Sequence, residues 1–443
     1  MQLHGWSAEH ERLAHELADR IKEHFQPDPP LGRTPTTQDV AALAAINSLG
    51  IGIDAALALV DEVLLPNNVA LDHERFLAYI PAAPATAAAL FDALVGAWSF
   101  CGESWQEAGG AVAAEEAAFD WLIGLAGLPE GSGGCFVSGG SAGNLSGLAV
   151  GRDVWRRHHG EDARVRIACA GSAHSSVTKA AQLLDLEIVP VAGDERGRLT
   201  AAGLCDLPDD VGIVAASAGA TNAGAIDDLA GIADACTQRD AWLHVDAAYG
   251  GSALSVPELR PRFAGIERAD SLVIDPHKWL FAPLDCAALL YRNPAAASRT
   301  HRQLAGYLDA FGDEHVNPSD LAFHLTRRAR GLPLWFSLVV HGTDALTMGV
   351  RAGLDLARAT ADLIRDLGPP LHLVMEPELS VVLFERDGWQ RTDWDRWAAD
   401  ALADGLAFVA PTTWDGRPAG RLAFLHPGTD LGVVDQLLRR TLS

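Results

Sequence analysis

Between residues 133 and 291 short apolar runs alternate with amphipathic stretches, and no other feature of the chain restricts its fold so strongly. The runs at 134–137, 165–170, 211–216, 241–245, 271–274 and 287–291 have strand length, and segments 144–158, 177–184 and 229–239 between them carry helical periodicity. Parallel strands need long crossovers, usually helical, so this alternation predicts a mostly parallel sheet with helices on both faces. In open sheets of that kind ligands bind beyond the carboxyl ends of the strands. The residues that follow each run are therefore the first place to look for chemistry.

The flanks read differently. Residues 37–63 follow a helical pattern that Pro66 stops, and 81–128 continue in Ala-rich helices to the turn cluster Gly127-Leu128-Pro129-Glu130-Gly131. The apolar stretch 41–60 contains Asn47, Ser48, two glycines and Asp54, so it reads as a buried helix pair and not as a membrane span. From about 326 a helical pattern runs to 367, followed by strand-like 380–384, a helix near 394–404 and strand-like 421–425. The expected organisation is a helical segment over 1–80, a large α/β domain over 81–325 and a small C-terminal α+β domain over 326–443.

Charge and cysteine use narrow the function. With 34 basic and 58 acidic residues the formal net charge is −24, which excludes a nucleic-acid surface built on clustered Lys and Arg. Apolar residues at 49% and charged ones at 21% suit a packed globular protein and not a disordered one. No basic region followed by an apolar core marks the N-terminus as a signal peptide. The six cysteines are widely spaced without a C-x-x-C pair, which argues against zinc or a disulfide framework and for a reducing cytoplasm.

Three strand ends carry unusual residues. After the first run, Ser138-Gly139-Gly140-Ser141-Ala142-Gly143-Asn144 opens a helix, a geometry that presents free N–H groups to an anion such as phosphate. The same residues fit G-x-S-x-G, so a serine hydrolase using Ser141 with Asp246 and His277 or His301 is the rival reading, although no HGGG-type segment lies upstream. The run ending at Val245 closes on Asp246 and then small residues, a carboxylate that asks for a cationic partner. The run ending at Ile274 leads into Asp275-Pro276-His277-Lys278-Trp279. Only three lysines exist, Lys22, Lys179 and Lys278, in a chain that otherwise uses Arg, and a nucleophilic amine is the main role a guanidinium cannot fill. Phosphate donors, a carboxylate and an amine together describe a site for pyridoxal 5′-phosphate (PLP).

Five stretches in order then resemble the group II PLP-dependent amino-acid decarboxylases, the family of aromatic-L-amino-acid (DOPA) decarboxylase. They are Gly140–Asn144, His174–Ala180, Ala218–Asp227, His244–Gly250 and Asp275–Trp279, and the likeness runs from about Asp72 to Phe424. The resemblance implies a fold-type-I α/β architecture with a mainly parallel seven-stranded sheet, an N-terminal helical segment that interlocks in a homodimer, and a small C-terminal α+β domain. It implies that Lys278 holds PLP covalently, that Asp246 keeps the pyridine nitrogen protonated, that His174 stacks on the ring and that Ala248 packs beneath it. Ser141 and Ala142 match phosphate-binding positions, with His277 nearby, and Thr221 lines the cofactor. Lys179 becomes a surface or site-rim lysine and Lys22 plain solvent charge. Tyr307 aligns with a loop tyrosine that protonates the substrate's Cα to give the amine; relatives with Phe there consume oxygen and give an aldehyde. The implied activity is decarboxylation of an L-amino acid, with an aromatic side chain favoured by Tyr79, Ile80 and Pro81.

Three positions depart from the family pattern. Asp275 stands where many aromatic decarboxylases have Asn, and because a carboxylate repels phosphate it is expected to face elsewhere. Gly143 replaces a hydroxyl residue of some members, at the loss of one phosphate contact. Glu103 falls in a segment, 99–105, that aligns with an apolar pocket wall; pointing inward, it would select a substrate bearing a hydroxyl, amine or imidazole.

Overall fold

The computed structural model describes residues 4–303, 315 and 317–442. The six expected runs form β1 (Gly133–Val137), β2 (Arg166–Ala170), β4 (Val211–Ser217), β5 (Trp242–Asp246), β6 (Ser271–Ile274) and β7 (Ala287–Tyr291). With β3 (Glu187–Val191) they make one seven-stranded sheet in the order β1-β7-β6-β5-β4-β2-β3. The pairings from β3 through β6 are parallel, while β7 runs antiparallel to β6 and to β1. β3 carries no clear run in the sequence because it is an edge strand: Pro190 lies within it and only Val191 is buried.

Helices α5 (Gly140–His159), α6 (Ser175–Leu183) and α7 (Leu229–Arg239) supply crossovers, and the short α8 (Pro276–Trp279) and α9 (Pro294–His301) precede and follow β7. The first begins four residues earlier than periodicity suggests, since the glycine-rich segment is itself the first helical turn. Glycines at four-residue spacing let α5 lie close on the sheet. A Cβ on Gly143 would stand 2.7 Å from Val273, one on Gly147 2.8 Å from His244, and one on Gly151 2.8 Å from Trp242. Gly143 is therefore a packing residue buried against β6, and the idea that it weakens a phosphate contact is corrected on that ground.

The N-terminal region holds α1 (Ala8–His24) and α2 (Ile53–Leu59). The buried helix pair expected over 41–60 is not what forms. Residues Ala41–Ala44 make a 3₁₀ turn, α2 buries only Leu57, and Ile46 and Leu49 are each 94% exposed, because within one chain no apolar face lies against them. α3 (Thr86–Trp98) and α4 (Trp105–Ala126) follow, the latter capped by Ser104, whose Oγ accepts the Glu107 N–H. At the other end α10 (Leu332–Leu367), which starts six residues later than its expected onset and breaks at Gly342 with φ +74°, leads into an antiparallel sheet ordered β10-β11-β9-β8. Its strands are β8 (Leu371–Leu373), β9 (Val381–Arg386), β10 (Thr412–Trp414) and β11 (Arg417–Ala423), and Phe384 of β9 shares one core with Trp394 and Trp397 of α11 (Arg391–Ala403) and Val434, Leu437 and Leu438 of α12 (Leu431–Arg439).

A buried ion pair fastens the segment before α10 to the body. Arg327 Nη2 donates to both carboxylate oxygens of Glu115 on α4, at 2.9 and 2.7 Å, its Nη1 donates to the Gly102 carbonyl, and the Gly331 N–H donates to Glu115. Removing one partner of such a pair strands a charge in the interior. Glu115→Ala is expected to lower the unfolding free energy by about 3–5 kcal/mol in urea titrations, whereas replacing both partners with apolar residues of matched volume costs much less.

Candidate functional site

A cavity of about 340 Å³ opens at the carboxyl ends of β1, β4, β5 and β6, and its wall includes Ser141, His174, Thr221, Asp246, Ala248, His277 and Lys278. Segments as distant in sequence as 138 and 275 meet there because each follows a strand of one sheet. Of the remaining candidates, Ala142 does not line the cavity and its N–H is already donated to the Gly139 carbonyl, while Tyr307 lies outside the described residues. Lys179 and Lys22 are exposed, and Glu103 lines neither this cavity nor the cleft beside it. Within its chain Glu103 faces Cys101 and Glu107 next to the Arg327 segment.

Lys278 sits on α8 (Pro276–Trp279), a single turn that Pro276 starts. Trp279, fully buried and stacked on Tyr249 at 5.4 Å, anchors the turn and leaves the Lys278 side chain 21% exposed toward the cavity. Burial disfavours the ammonium, but Asp275 and Asp246 outweigh it, and the Lys278 pKa is raised. Asp275 contradicts its expected orientation. Its Oδ2 lies 3.0 Å from Lys278 Nζ and accepts the Gly140 N–H at 3.2 Å, because a carboxylate buried there needs a cation and a donor to offset its desolvation. His277 is fixed from the other side: its Nδ1 accepts the Cys286 N–H at 3.0 Å, and burial lowers its pKa.

Asp246 is held by a relay that its sequence neighbours do not reveal. Asn144 Nδ2 donates to Asp246 Oδ2 and to Ser176 Oγ, both at 2.8 Å, and the Ala248 N–H donates to Asp246 Oδ1 at 3.1 Å. Ser176 in turn bonds His174 Nδ1 at 2.8 Å, so Asn144 orients the carboxylate and the imidazole together. Behind it, Trp242 Nε1–H donates to Ser271 Oγ, Ser271 Oγ–H to His244 Nδ1, and His244 Nε2–H to Asn144 Oδ1. This pattern needs a neutral His244. Asn144, Ser176 and Arg421 are the contributors that sequence reasoning gave no role; the only signal for Asn144 was its place inside a glycine-rich motif.

A larger cleft of about 1190 Å³ shares His174, Thr221 and Lys278 with the cavity and continues past Tyr79, Ile80 and Trp414. Arg421 of β11 reaches its wall. Its guanidinium donates to the Asn222, Tyr79 and Thr221 carbonyls at 3.1, 2.7 and 2.6 Å, and no carboxylate pairs with it among the described residues. Burial pushes its pKa down to about 10, so it stays cationic at neutral pH.

A hydrolase triad does not assemble. Among the described residues Ser141 makes no hydrogen bond to a histidine, Asp246 is taken by Asn144 and Ala248, and His301 bonds the Ser146 carbonyl. The set fits a flat phosphorylated pyridine aldehyde instead. The amine and the Asp246 carboxylate border one cavity, and a Cβ on Gly140 would crowd Ala248 and Asp275 at 3.1 Å.

Residues 53–386 match the family described as pyridoxal-dependent decarboxylase conserved domain. An aromatic-L-amino-acid decarboxylase of Bacillus atrophaeus is 33% identical over 390 residues, 84% of this chain and 81% of that one. An L-2,4-diaminobutyrate decarboxylase of Rhizobium meliloti is 31% identical over 420 residues, 89% of this chain and 83% of its own. The crystal structure of Oryza sativa TDC with PLP and tryptamine aligns at a TM-score of 0.91 with 25% identity, covering 100% of this chain and 99% of that one.

The relay makes a pH prediction. Burial, against the pull of Asp246, lowers the His244 pKa from 6.5 to about 4. The unfolded chain then binds a proton that the native state refuses, so the His244 contribution is whole above pH 6.5 and is lost toward pH 4, about 3 kcal/mol in all. Asp227, raised by burial to about 7, acts in the opposite sense, so the comparison is with a variant. His244→Gln should show a flatter stability profile between pH 6.5 and 4 than the natural chain in urea titrations.

Proposed function

Because the chain belongs to the pyridoxal-dependent decarboxylase family and uses PLP as its coenzyme, we propose that it converts an aromatic L-amino acid to the corresponding amine and CO₂. The observation that carries this reading is the continuity of the Lys278 cavity with a cleft whose wall offers Tyr79, Ile80 and Trp414 to a flat apolar side chain. The 33% identical aromatic-L-amino-acid decarboxylase supports it. Bound PLP supplies an electron sink for the pair left on the substrate Cα when CO₂ departs. Asp246, fixed by Asn144 and the Ala248 N–H, holds a proton on the pyridine nitrogen. Lys278 would contribute the amine that binds the coenzyme, Ser141 and the start of α5 would take its phosphate, and Ala248, His174 and Thr221 would hold its ring. Arg421 is a buried cation with no carboxylate partner among the described residues, suited to orient the substrate carboxylate. Tyr307 is assigned the proton donor to Cα on the family likeness, which makes the product an amine; oxygen uptake with peroxide release during turnover would assign the aldehyde instead.

One observation favours a second substrate class. Glu195 and Asp415 are exposed on the same cleft and form no ion pair among the described residues, which suits a cationic side chain such as that of diaminobutyrate. The 31% identical diaminobutyrate decarboxylase points the same way. A screen of purified protein with PLP against Phe, Tyr, DOPA, Trp, His, Glu and 2,4-diaminobutyrate, scored for CO₂ and amine, decides between them. Turnover of the aromatic acids is expected, and CO₂ from none of the seven defeats the proposal. Asp246→Ala should lower kcat by at least about 10²–10³-fold, as loss of a group that stabilises developing charge does.

The active assembly is assigned as a homodimer in the cytoplasm. Helices α3 and α10 stack Phe91 on Phe336 yet leave Leu90, Leu94, Trp98, Val339 and Val340 exposed, and Ile46 and Leu49 add further apolar surface. No helix among the described residues is long and apolar enough to cross a membrane, and all six cysteines are free thiols, as a reducing compartment keeps them. Light scattering should return twice the chain mass of 46.9 kDa, and Trp98→Glu should shift it toward the monomer.

A further inference from the structure

Asp275 ends β6 with 1% of its surface exposed, and its carboxylate enters the site at the place where the coenzyme's anion is expected. Oδ2 accepts the N–H of Gly140, the first residue of the 20-residue helix α5, and lies 3.0 Å from Lys278 Nζ and 3.6 Å from His277 Nε2. Oδ1 is buried without a hydrogen-bond partner. One carboxylate therefore satisfies the helix N-terminus and the reactive amine with a single oxygen and leaves the other unsatisfied, an arrangement that costs free energy in the interior. A phosphate brought to the same helix start meets a like charge whose Oδ1 has no donor to screen it.

We propose that Asp275 is a positioning residue that sets how tightly the coenzyme's phosphate is held. Its carboxylate serves as the internal anion at the start of α5 and as the counter-ion of Lys278 before loading, and the phosphate must compete with it for the Gly140 N–H. The inference rests on the assignment of PLP to this cavity. The ring end and the phosphate end of the coenzyme are thereby tuned by different residues, Asp246 and His174 at one end and Asp275 at the other.

The test is a cycle in which the ligand's phosphate and the protein's carboxylate are removed in turn. PLP and pyridoxal, which lacks the phosphate, are titrated into coenzyme-stripped full-length protein and its Asp275→Asn variant. Binding is followed by the yellow absorbance of the lysine-bound coenzyme and by tryptophan fluorescence. Loss of the Lys278 counter-ion alters both ligands alike, so the ratio of their affinities isolates the phosphate. The variant should favour PLP over pyridoxal about tenfold more than the natural chain does, the effect of one like-charge contact relieved. It should also bind inorganic phosphate more tightly in the stripped protein. An unchanged ratio, or one that moves toward pyridoxal, overturns the proposal. If Asp275→Asn melts early, Asp275→Ser is read by the same ratio. If neither ligand colours the natural protein and borohydride labels nothing at Lys278, the PLP assignment itself falls and takes the inference with it.

Discussion

The site depends on one side-chain amide. Asn144, buried on α5, donates to Asp246 at the end of β5 and to Ser176 on α6, and accepts from His244 within β5. Without it Asp246 Oδ2 and His244 Nε2 would each lose a hydrogen-bond partner, and a buried polar atom left without one costs about 1–3 kcal/mol. The amide therefore joins two helices and a strand at the point where the chemistry occurs. It also explains why His174, exposed at the mouth of the cavity, has a defined ring orientation: Ser176 passes the constraint on.

That amide reaches its partners only because α5 lies close on the sheet. Gly143, Gly147 and Gly151 leave no room for a Cβ against Val273, His244 and Trp242, so the helix approaches the strands more closely than a helix with side chains on that face could. Packing and polar satisfaction are thus one device. The glycines bring the helix down, and the descent places Asn144 within hydrogen-bond reach of three groups. The adjoining cleft receives Arg421 from the antiparallel sheet of the C-terminal region, tied by carbonyls from two other segments, so the cleft is walled by residues from across the chain.

Charge placement gives the cavity its character. Lys278 faces two carboxylates, Asp275 and Asp246, and its pKa is raised despite burial. Those two acids are separated by what holds them: Asp246 has two donors on two oxygens, whereas Asp275 concentrates its contacts on one oxygen and leaves the other bare. A carboxylate fully satisfied by the protein suits a permanent partner such as a ring nitrogen. One that is half satisfied suits an exchange.

Much of this was legible in the sequence. Alternating apolar runs predict the parallel sheet because strand and helix periods differ and crossovers need length, and strand ends locate Asp246 and Lys278 because a sheet of this type exposes them together. Scarcity of lysine narrows the reactive amine to three candidates, and the strand end picks Lys278 among them. The edge strand β3 was not legible, since a strand paired on one side and containing proline has no continuous apolar run. Burial of 41–60 failed because apolar residues announce a need for a partner surface without saying that the same chain supplies it. The direction of Asp275, the bonding of Asn144 and the arrival of Arg421 were decided only in three dimensions. Each depends on contacts between segments more than 100 residues apart, and local spacing determines which residue stands at a strand end but not which neighbour its side chain meets there.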